Sequence, residues 1–328
     1  VAKKPKVGDI DTMVNRDKEA ELSQFLTAIE GKKIGDAKLV GFQRGNEQFS
    51  ALFEMGTPAS LKIQIDFEFV EFDNGAPTDW ARFSHSSAWA DLQQGVKGVF
   101  HKFFLQALTT LTRRDFYLRK LVGRGKLRQE QDVPTTDNMY SFAVSSKEGG
   151  GLRPKYEPVI GDNGKPLVKD GLPVMKALPA SGYAQNISKI AQQLFGKKLN
   201  PKDLENVWSF VGLINLANKL LTPEQKEQVV KGFLEKVVGQ GAQGLYKNEP
   251  DRDLAEKNAA INYLLDQFGM KRTPEIEKQI ADYRQAYKMT PADEGVQASK
   301  DIVKSMAKNT ISEAGVNYKR KGIQHIYN

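Results

Sequence analysis

The sequence predicts an α+β protein, with a small mixed β-sheet and its helices in the N-terminal part and a mostly helical C-terminal part. Short apolar or alternating runs, which are typical of strands, dominate the first seventy residues. From residue 184 onward, apolar residues recur at the spacing of amphipathic helices. A segment rich in Gly and Pro separates the two patterns. We expect a sheet domain over 1–128, a β-hairpin or loop insert over 129–183, a helical domain over 184–290, and a polar, basic tail over 291–328.

The N-terminal elements follow from local patterns. The run "VGDIDTMV" at 7–14 predicts a short strand. The segment "DKEAELSQFLTAIEG" has early acids, helically spaced apolar residues and a terminal Gly31, so it predicts a helix. Further strands are predicted at 37–44, 46–55 and 60–72. In the last of these, the side chains alternate between an apolar face (Ile63, Ile65, Phe67, Phe69) and a polar face (Gln64, Asp66, Glu68).

A long helix is predicted from 96 to 122, with an apolar stripe (Val99, Phe103, Ala107, Leu111) and a cationic end. From Lys102 to Arg128 there are eight Lys or Arg residues and one acid, a net charge of +7, against +8 for the whole chain. Such a block indicates either contact with a polyanion or a solvated helix face. The residues assigned to nucleic-acid contact are Arg113, Arg114, Arg119, Lys120, Arg124, Lys126 and Arg128.

The second half carries clear turn and helix-start signals. "GDNGK" at 161–165 predicts a hairpin tip. Of the helical segments that follow, several begin with Asn-Pro or Thr-Pro, which places a capping side chain before a proline in the first turn. The three tryptophans, Trp80, Trp89 and Trp208, are expected to be packing anchors.

The composition excludes several classes of protein. The chain has no cysteine, so it has no disulfide, thiolate metal site or cysteine nucleophile. It has no run of 18 apolar residues and no hydrophobic leader, so we expect no membrane partner. Because Val1 begins in mid-pattern, we expect a processed chain or a segment of a longer translated protein.

Acidic residues on two predicted strands indicate metal chemistry. Asp9 and Asp11 are two residues apart on a strand, so both carboxylates leave the same face, and Gly8 leaves room for a close approach. If the strand that carries Asp66 is a neighbour, three carboxylates converge and require cations. Oxygen ligands without Cys or a nearby His suit Mg²⁺ or Mn²⁺. Two such ions would activate an attacking hydroxyl and stabilise a leaving pyrophosphate.

These motifs resemble those of the DNA polymerase beta-like nucleotidyltransferase superfamily, in particular its divergent branch in tailed-phage genomes. The resemblance lies in "GDIDTMV" for the paired metal aspartates and "IQIDFEFV" for the third, and in "DWARFSHSS…KGVFHKFFLQAL" after it. It extends more faintly through "MYSFAVSSKEGGGLR" and "ISKIAQQLFGKKLNPKDL", and so spans roughly 1–210. It implies that residues 1–128 form a nucleotidyltransferase-type domain.

The resemblance also implies roles for single residues. Asp9 and Asp11 would bind both metal ions, and Asp66 would help to deprotonate the incoming hydroxyl. Nucleotide contacts are implied for Lys97 and Lys102 at the triphosphate, with Gly8 close by, and for Ser84, His85 and Ser86 at phosphate or acceptor. The superfamily also places a Gly-Ser or Gly-Gly turn about ten residues before the first aspartate to hold the triphosphate. Only "VAKKPKV" precedes Gly8, so that turn either lies upstream of Val1 or is missing in this copy.

The function expected on this basis is metal-dependent transfer of a nucleoside monophosphate from an NTP to a hydroxyl, such as an RNA 3′ end. The alternative is a structural or nucleic-acid-binding phage component with a vestigial site, assembled with other phage proteins. Either protein is expected in the cytoplasm, that of the host cell if it is phage-encoded, or in the virion.

Several residues keep two interpretations. Glu68 shares a face with Asp66 and is an alternative third ligand. His85 and His101 fit a catalytic role or an ordinary hydrogen-bonding role. Tyr140 and Phe142 fit either stacking on a nucleobase or a small core patch.

Overall fold

A computed structural model of the chain describes residues 9–56, 61–90, 98–123, 128–144, 150–179, 182–239 and 250–288. The fold is α+β, which confirms the predicted class. The chain divides into two compact units, one holding the described residues up to Arg82 and the other those from Phe83 to Tyr287. No helix among the described residues is long and apolar enough to cross a membrane.

The first unit is a mixed five-stranded sheet with one helix of three turns. Its elements are β1 (Asp9–Asn15), α1 (Glu19–Ile29), β2 (Lys33–Ile34), β3 (Ala37–Arg44), β4 (Gln48–Met55), β5 (Leu61–Val70) and a hairpin of β6 (Phe72–Asp73) and β7 (Ala76–Pro77). The strand order is β1-β5-β4-β3-β2. β1 pairs parallel with β5, and the other neighbours pair antiparallel. The helix and strands predicted for this part of the sequence are confirmed.

One face of this sheet holds the core of the first unit. Leu26 from α1 packs with Leu39, Phe49, Ala51 and Phe69 from the strands, and all five are buried. The rings of Phe49 and Phe69 meet edge-on with centroids 4.7 Å apart, a favourable geometry for aromatic pairs. The alternation predicted for β5 therefore places its apolar face against α1 and its polar face on the other side.

The second unit combines a five-stranded sheet, a two-stranded ribbon and a set of helices. After α2 (Asp79–Ser84), its elements are α3 (Gly98–Leu108), β8 (Arg113–Val122), β9 (Gln129–Asn138), β10 (Tyr140–Ala143), β11 (Gly151–Pro154), β12 (Tyr156–Pro158), β13 (Val168–Lys169), β14 (Leu172–Ala177), α4 (Ile187–Phe195), α5 (Pro201–Glu205), α6 (Phe210–Leu220), α7 (Pro223–Val238), α8 (Pro250–Gln267) and α9 (Pro274–Lys288). The sheet order is β12-β14-β8-β9, with β13 paired to β14, and β10 pairs with β11. The predicted hairpin tip is confirmed, since Ile160 and Pro166 bridge across "GDNGK".

The predicted long helix at 96–122 is wrong beyond Leu108. The hydroxyls of Thr109, Thr110 and Thr112 each donate to the carbonyl three residues earlier, at 2.6–2.7 Å. These bonds favour the tight 3-10 turn Thr109–Thr112 over continued α-helix, and the chain leaves it in extended conformation. The basic residues from Arg113 onward therefore lie on a strand and not on a helix.

β8 and β9 pair antiparallel over their whole length, from Arg113 opposite Asn138 to Val122 opposite Gln129. Residue 128, where the sequence analysis places a domain boundary, lies between these paired strands. The bounds at 128, 183 and 290 stay predictions.

The predicted helices of the C-terminal part are confirmed, together with their start signals. Asn200 and Thr222 cap helices that begin with a proline, and Thr222 forms a full capping box with Gln225. One predicted segment, 200–221, is interrupted because Ser209 is extended and caps α6 with its hydroxyl. The tail over 291–328 lies outside the described residues.

The core of the second unit is strongly aromatic and encloses His101. Phe83, Trp89 and Phe210 pack around His101 of α3, and its imidazole stacks on Trp89 with centroids 4.5 Å apart and planes 22° apart. His101 is fully buried, and neither ring nitrogen has a hydrogen-bond partner among the described residues. Burial lowers the pKa of His101 from 6.5 to about 3, because the charged imidazolium would lose its hydration without compensation.

This burial predicts acid sensitivity of the fold. Below pH 6.5 the unfolded chain protonates His101, whereas the folded chain does not until about pH 3, so stability falls as the pH drops through that window. Between pH 7 and pH 5 the wild type should lose about 2 kcal/mol more unfolding free energy than His101→Phe, which keeps a ring in the cage. Urea unfolding at a series of pH values measures the difference. Above pH 7.5 both curves should be parallel, and equal losses below pH 6.5 would contradict the assignment.

Candidate functional site

The parallel pairing of β1 with β5 brings the predicted aspartates into register. Asp11 lies directly opposite Asp66, and Asp9 lies opposite Gln64. On its other side, Asp66 lies opposite Ser50 of β4. Residues opposite one another in a sheet point to the same face, with Cβ atoms about 5 Å apart. Asp11 and Asp66 therefore share one face, and the register places Asp9, of which only the backbone is described, at a position on that face.

We call this surface the carboxylate face, defined by the positions of Asp9, Asp11, Asp66 and Glu68 on the side of the sheet away from α1. Part of this face is buried. Asp66 is 7% exposed and Gln64 is 5% exposed, whereas Asp11 is exposed. A buried carboxylate with another acid opposite it is unfavourable unless a cation or hydrogen-bond donors compensate its charge.

Gln64 donates a hydrogen bond to the Asp66 carboxylate. Its Nε2 lies 2.8 Å from Asp66 Oδ1. The other end of the amide, Gln64 Oε1, is buried and has no hydrogen-bond donor among the described residues. Among the described residues, no cation forms an ion pair with Asp66. Gln64 was not predicted as a site residue, although its position two residues before Asp66, on the same face of β5, was the available signal.

Asp66 is better placed than Glu68 to act with Asp11. Glu68 lies opposite Met13, one row further along the sheet. At the far end of the same face, the carboxylate of Glu54 is 3.7 Å from the ammonium of Lys62. The register thus favours Asp66 as the third acid, while Glu68 remains on the face as a neighbour.

The donor atoms on this face fit a hard divalent cation. Carboxylate oxygens from two strands and the unpartnered amide oxygen of Gln64 are the ligand types that Mg²⁺ and Mn²⁺ take, directly or through bound water. The described side chains alone form no group of three metal-ligating residues, and the predicted trio includes Asp9, whose side chain is not described.

The predicted nucleotide-binding residues belong to the second unit where they are described at all. Ser84 Oγ lies 3.0 Å from His85 Nδ1, and Ser86 caps the 3-10 turn Ser87–Trp89 by accepting from the Ala88 amide. Lys102 is half-buried on α3. Gly8 and Lys97 lie outside the described residues. The structure therefore shows Ser84 and His85 in contact with each other, and all the nucleotide-binding assignments stay predictions.

The basic residues that the structure describes on β8 are divided between the two faces of that strand. Along β8, Arg113 and Arg119 point to one face of the strand, and Arg114 and Lys120 point to the other. Arg119 forms a bidentate ion pair with Asp132, with Nε–Oδ1 at 2.9 Å and Nη2–Oδ2 at 3.2 Å. Arg128 follows as an exposed residue just before β9, and Arg124 and Lys126 lie outside the described residues. On a helix these cations would lie together near its end. On strand β8 they alternate between the two faces.

Burial bears on two of the open alternatives. His101 is enclosed by aromatic rings, its ring nitrogens have no hydrogen-bond partner in the part of the chain that the structure describes, and its catalytic interpretation stays untested. Phe142 is 4% exposed and belongs to the core, whereas Tyr140 is half-buried.

Comparisons with known proteins assign the chain to no family. No protein-family model, no curated protein and no solved structure matches it. The resemblance to the nucleotidyltransferase superfamily therefore remains a prediction from the motifs.

If the carboxylate face binds a divalent cation, Mg²⁺ should stabilise the folded protein. At Mg²⁺ ten times above its dissociation constant, the gain should be about 1.4 kcal/mol, a shift of a few degrees in Tm. Asp11→Asn and Asp66→Asn should abolish the shift between EDTA and Mg²⁺. Thermal unfolding followed by circular dichroism measures it.

The matched control is Glu54→Gln, which removes an acid from the same face at a position already paired with Lys62. It should keep the Mg²⁺ shift of the wild type. A shift of equal size in Asp66→Asn would show that Mg²⁺ binds elsewhere.

Proposed function

We propose that the chain is a divalent-metal-dependent nucleotidyltransferase that moves a nucleoside monophosphate from an NTP to a hydroxyl acceptor and releases pyrophosphate. The single observation that supports this most is the register of β1 and β5, which sets Asp11 opposite Asp66. The same acids belong to the two motifs, "GDIDTMV" and "IQIDFEFV", that resemble those of the superfamily.

In this proposal each acid has a distinct task. Asp9 and Asp11, on the edge strand β1, would hold the two metal ions, with Asp66 as the third ligand. The Oδ1 atom of Asp66 accepts from Gln64, so Oδ2 is the atom that would take the proton of the acceptor hydroxyl. The bound ions would supply neutralisation of the triphosphate and a lower pKa for the attacking hydroxyl. The remaining contribution of the protein is positioning, and the hydrogen bond from Gln64 restricts the Asp66 carboxylate to one orientation.

The test of this function is Mg²⁺-dependent release of pyrophosphate from each of the four NTPs with bulk RNA as acceptor. Asp11→Asn and Asp66→Asn should lower the rate by at least about a hundredfold, because each removes several kcal/mol of charge stabilisation. Glu54→Gln should keep the wild-type rate. Glu68→Gln should stay within about tenfold of the wild type if Asp66 is the third acid.

Absence of pyrophosphate release in every protein, together with absence of NTP binding by calorimetry, would contradict the proposal. It would favour the alternative of a structural or nucleic-acid-binding component with a vestigial site. Equal rates of pyrophosphate release by the wild type and Asp66→Asn would instead show that Asp66 takes no part in the reaction.

The RNA acceptor is a separate part of the proposal, and its support is the exposed pair Arg114 and Lys120 on one face of β8. If RNA binds there, each lost phosphate contact should reduce the slope of log affinity against log salt by about 0.7. The double variant Arg114→Gln/Lys120→Gln should therefore lower the slope by about 1.4, measured by fluorescence anisotropy with single-stranded RNA. Lys202→Gln/Lys231→Gln, which removes two exposed helix cations, is the matched control. An unchanged slope in the Arg114→Gln/Lys120→Gln variant would show that RNA does not bind to this face of β8.

A further inference from the structure

The second unit contains a polar cavity of about 500 Å³ that none of the predicted catalytic residues lines. Its walls come from the end of α3 and the turn after it, from the junction of β9 and β10, from Lys155, and from α7. A volume of this size lies within the range of sites for small ligands. We call it the β9–α7 cavity.

Contacts between its walls make this cavity a preformed feature. Gln106 Nε2 donates to the carbonyl of Phe142 at 3.1 Å, which ties α3 to β10. Gln228 donates to the carbonyl of Thr110, which ties α7 to the turn after α3. At Gly232, a Cβ atom would come within 2.8 Å of the Thr110 methyl group, so the close approach of α7 requires glycine. A ligand would meet walls already in place, which lowers the entropy cost of binding.

The charges that line the cavity fall into two groups. Lys155 pairs with Asp137, whose carboxylate also accepts from the Tyr156 hydroxyl at 2.6 Å and from the Asn138 amide at 2.7 Å. This carboxylate is therefore saturated by internal donors. Arg113 and Lys236, by contrast, form no ion pair through their side chains with any residue in the part of the chain that the structure describes. Glu235 is the second acid of the lining, so the cations outnumber the acids by one.

The uncharged lining adds the features of a site for an aromatic, hydrogen-bonding ligand. Tyr140 is half-buried and lines the cavity. An aromatic ring of this kind offers a stacking surface for a nucleobase. Asn138 and Ser141 bring donors and acceptors that suit base or sugar edges.

From this combination we propose that the β9–α7 cavity binds a nucleoside monophosphate, with Arg113 and Lys236 on the phosphate and Tyr140 against the base. Such a ligand needs two cationic donors at one end and an aromatic surface with hydrogen-bonding groups at the other. This site is separate in its residues from the carboxylate face and requires no metal ion.

The first experiment is calorimetric titration of the full chain with AMP, adenosine and inorganic phosphate in buffer that contains EDTA. AMP should bind, adenosine should bind at least tenfold more weakly, and inorganic phosphate should compete with AMP at higher concentration. Inorganic phosphate that binds as tightly as AMP would overturn the nucleotide assignment, and adenosine that binds as tightly as AMP would overturn the role of the cations.

Variants then locate the binding. Arg113→Gln/Lys236→Gln should weaken AMP binding at least tenfold, and Tyr140→Leu should weaken it at least about fivefold. The control Lys231→Gln removes an exposed cation from the same helix and should leave the affinity unchanged. Thermal unfolding of each variant verifies that the fold is intact.

The outcomes separate this proposal from that of the carboxylate face. Asp66→Asn should bind AMP like the wild type, and the Tyr140 variant should show the wild-type Mg²⁺ shift in Tm. Loss of AMP binding in Asp66→Asn, or unchanged binding in both cavity variants, would overturn the cavity assignment. Binding of an RNA oligonucleotide without any binding of AMP would also overturn it.

Discussion

The parallel pairing of β1 with β5 is the constraint on which the first unit depends. It joins the first and last strands of the five-stranded sheet, since β1 begins at Asp9 and β5 ends at Val70, and it completes the sheet that α1 covers. The same pairing sets Asp11 opposite Asp66, an arrangement that weakens a sheet because like charges repel across neighbouring strands. The apolar side of the sheet, with Phe49 and Phe69 in edge contact, supplies the burial that offsets this cost. The apolar side chains thus lie on one face of this sheet, and the acids lie on the other.

The second unit depends in a comparable way on where α3 ends. Three threonine hydroxyls close the turn after Leu108, and the chain then runs as β8 along β9 instead of continuing as a helix. That change of direction brings Arg113 and the β9–β10 junction to the same cavity as α7. Gly232 permits the close approach of α7. The lining of the cavity therefore includes Thr109 and Thr110 of the polar turn that ends α3.

The strands and helices with strong periodicity could be predicted from the sequence, whereas the common face of Asp11 and Asp66 could be predicted only on the condition that their strands are neighbours. The alternation in β5 and the two-residue spacing in β1 determine the faces, and the parallel register supplies the rest. The error at β8 arose because Phe103, Ala107 and Leu111 continue a helical stripe while the local hydrogen bonds of threonine compete with it. The burial of Asp66 and His101 could not be predicted, because it depends on packing between segments far apart in sequence. The β9–α7 cavity could not be predicted either, because its lining residues also come from distant segments of the chain.

The identity of residue 64 bears on the purpose of the carboxylate face. A lysine or arginine at this position would neutralise Asp66 and remove most of the electrostatic cost of burying it. Glutamine instead gives one neutral hydrogen bond to Oδ1 and leaves its own Oε1 without a donor. Both features keep negative charge and acceptor capacity on the face, at some cost in folding free energy. A sheet selected for stability alone has no reason to keep this arrangement, whereas a cation bound beside Asp66 would satisfy the carboxylate and the amide oxygen together.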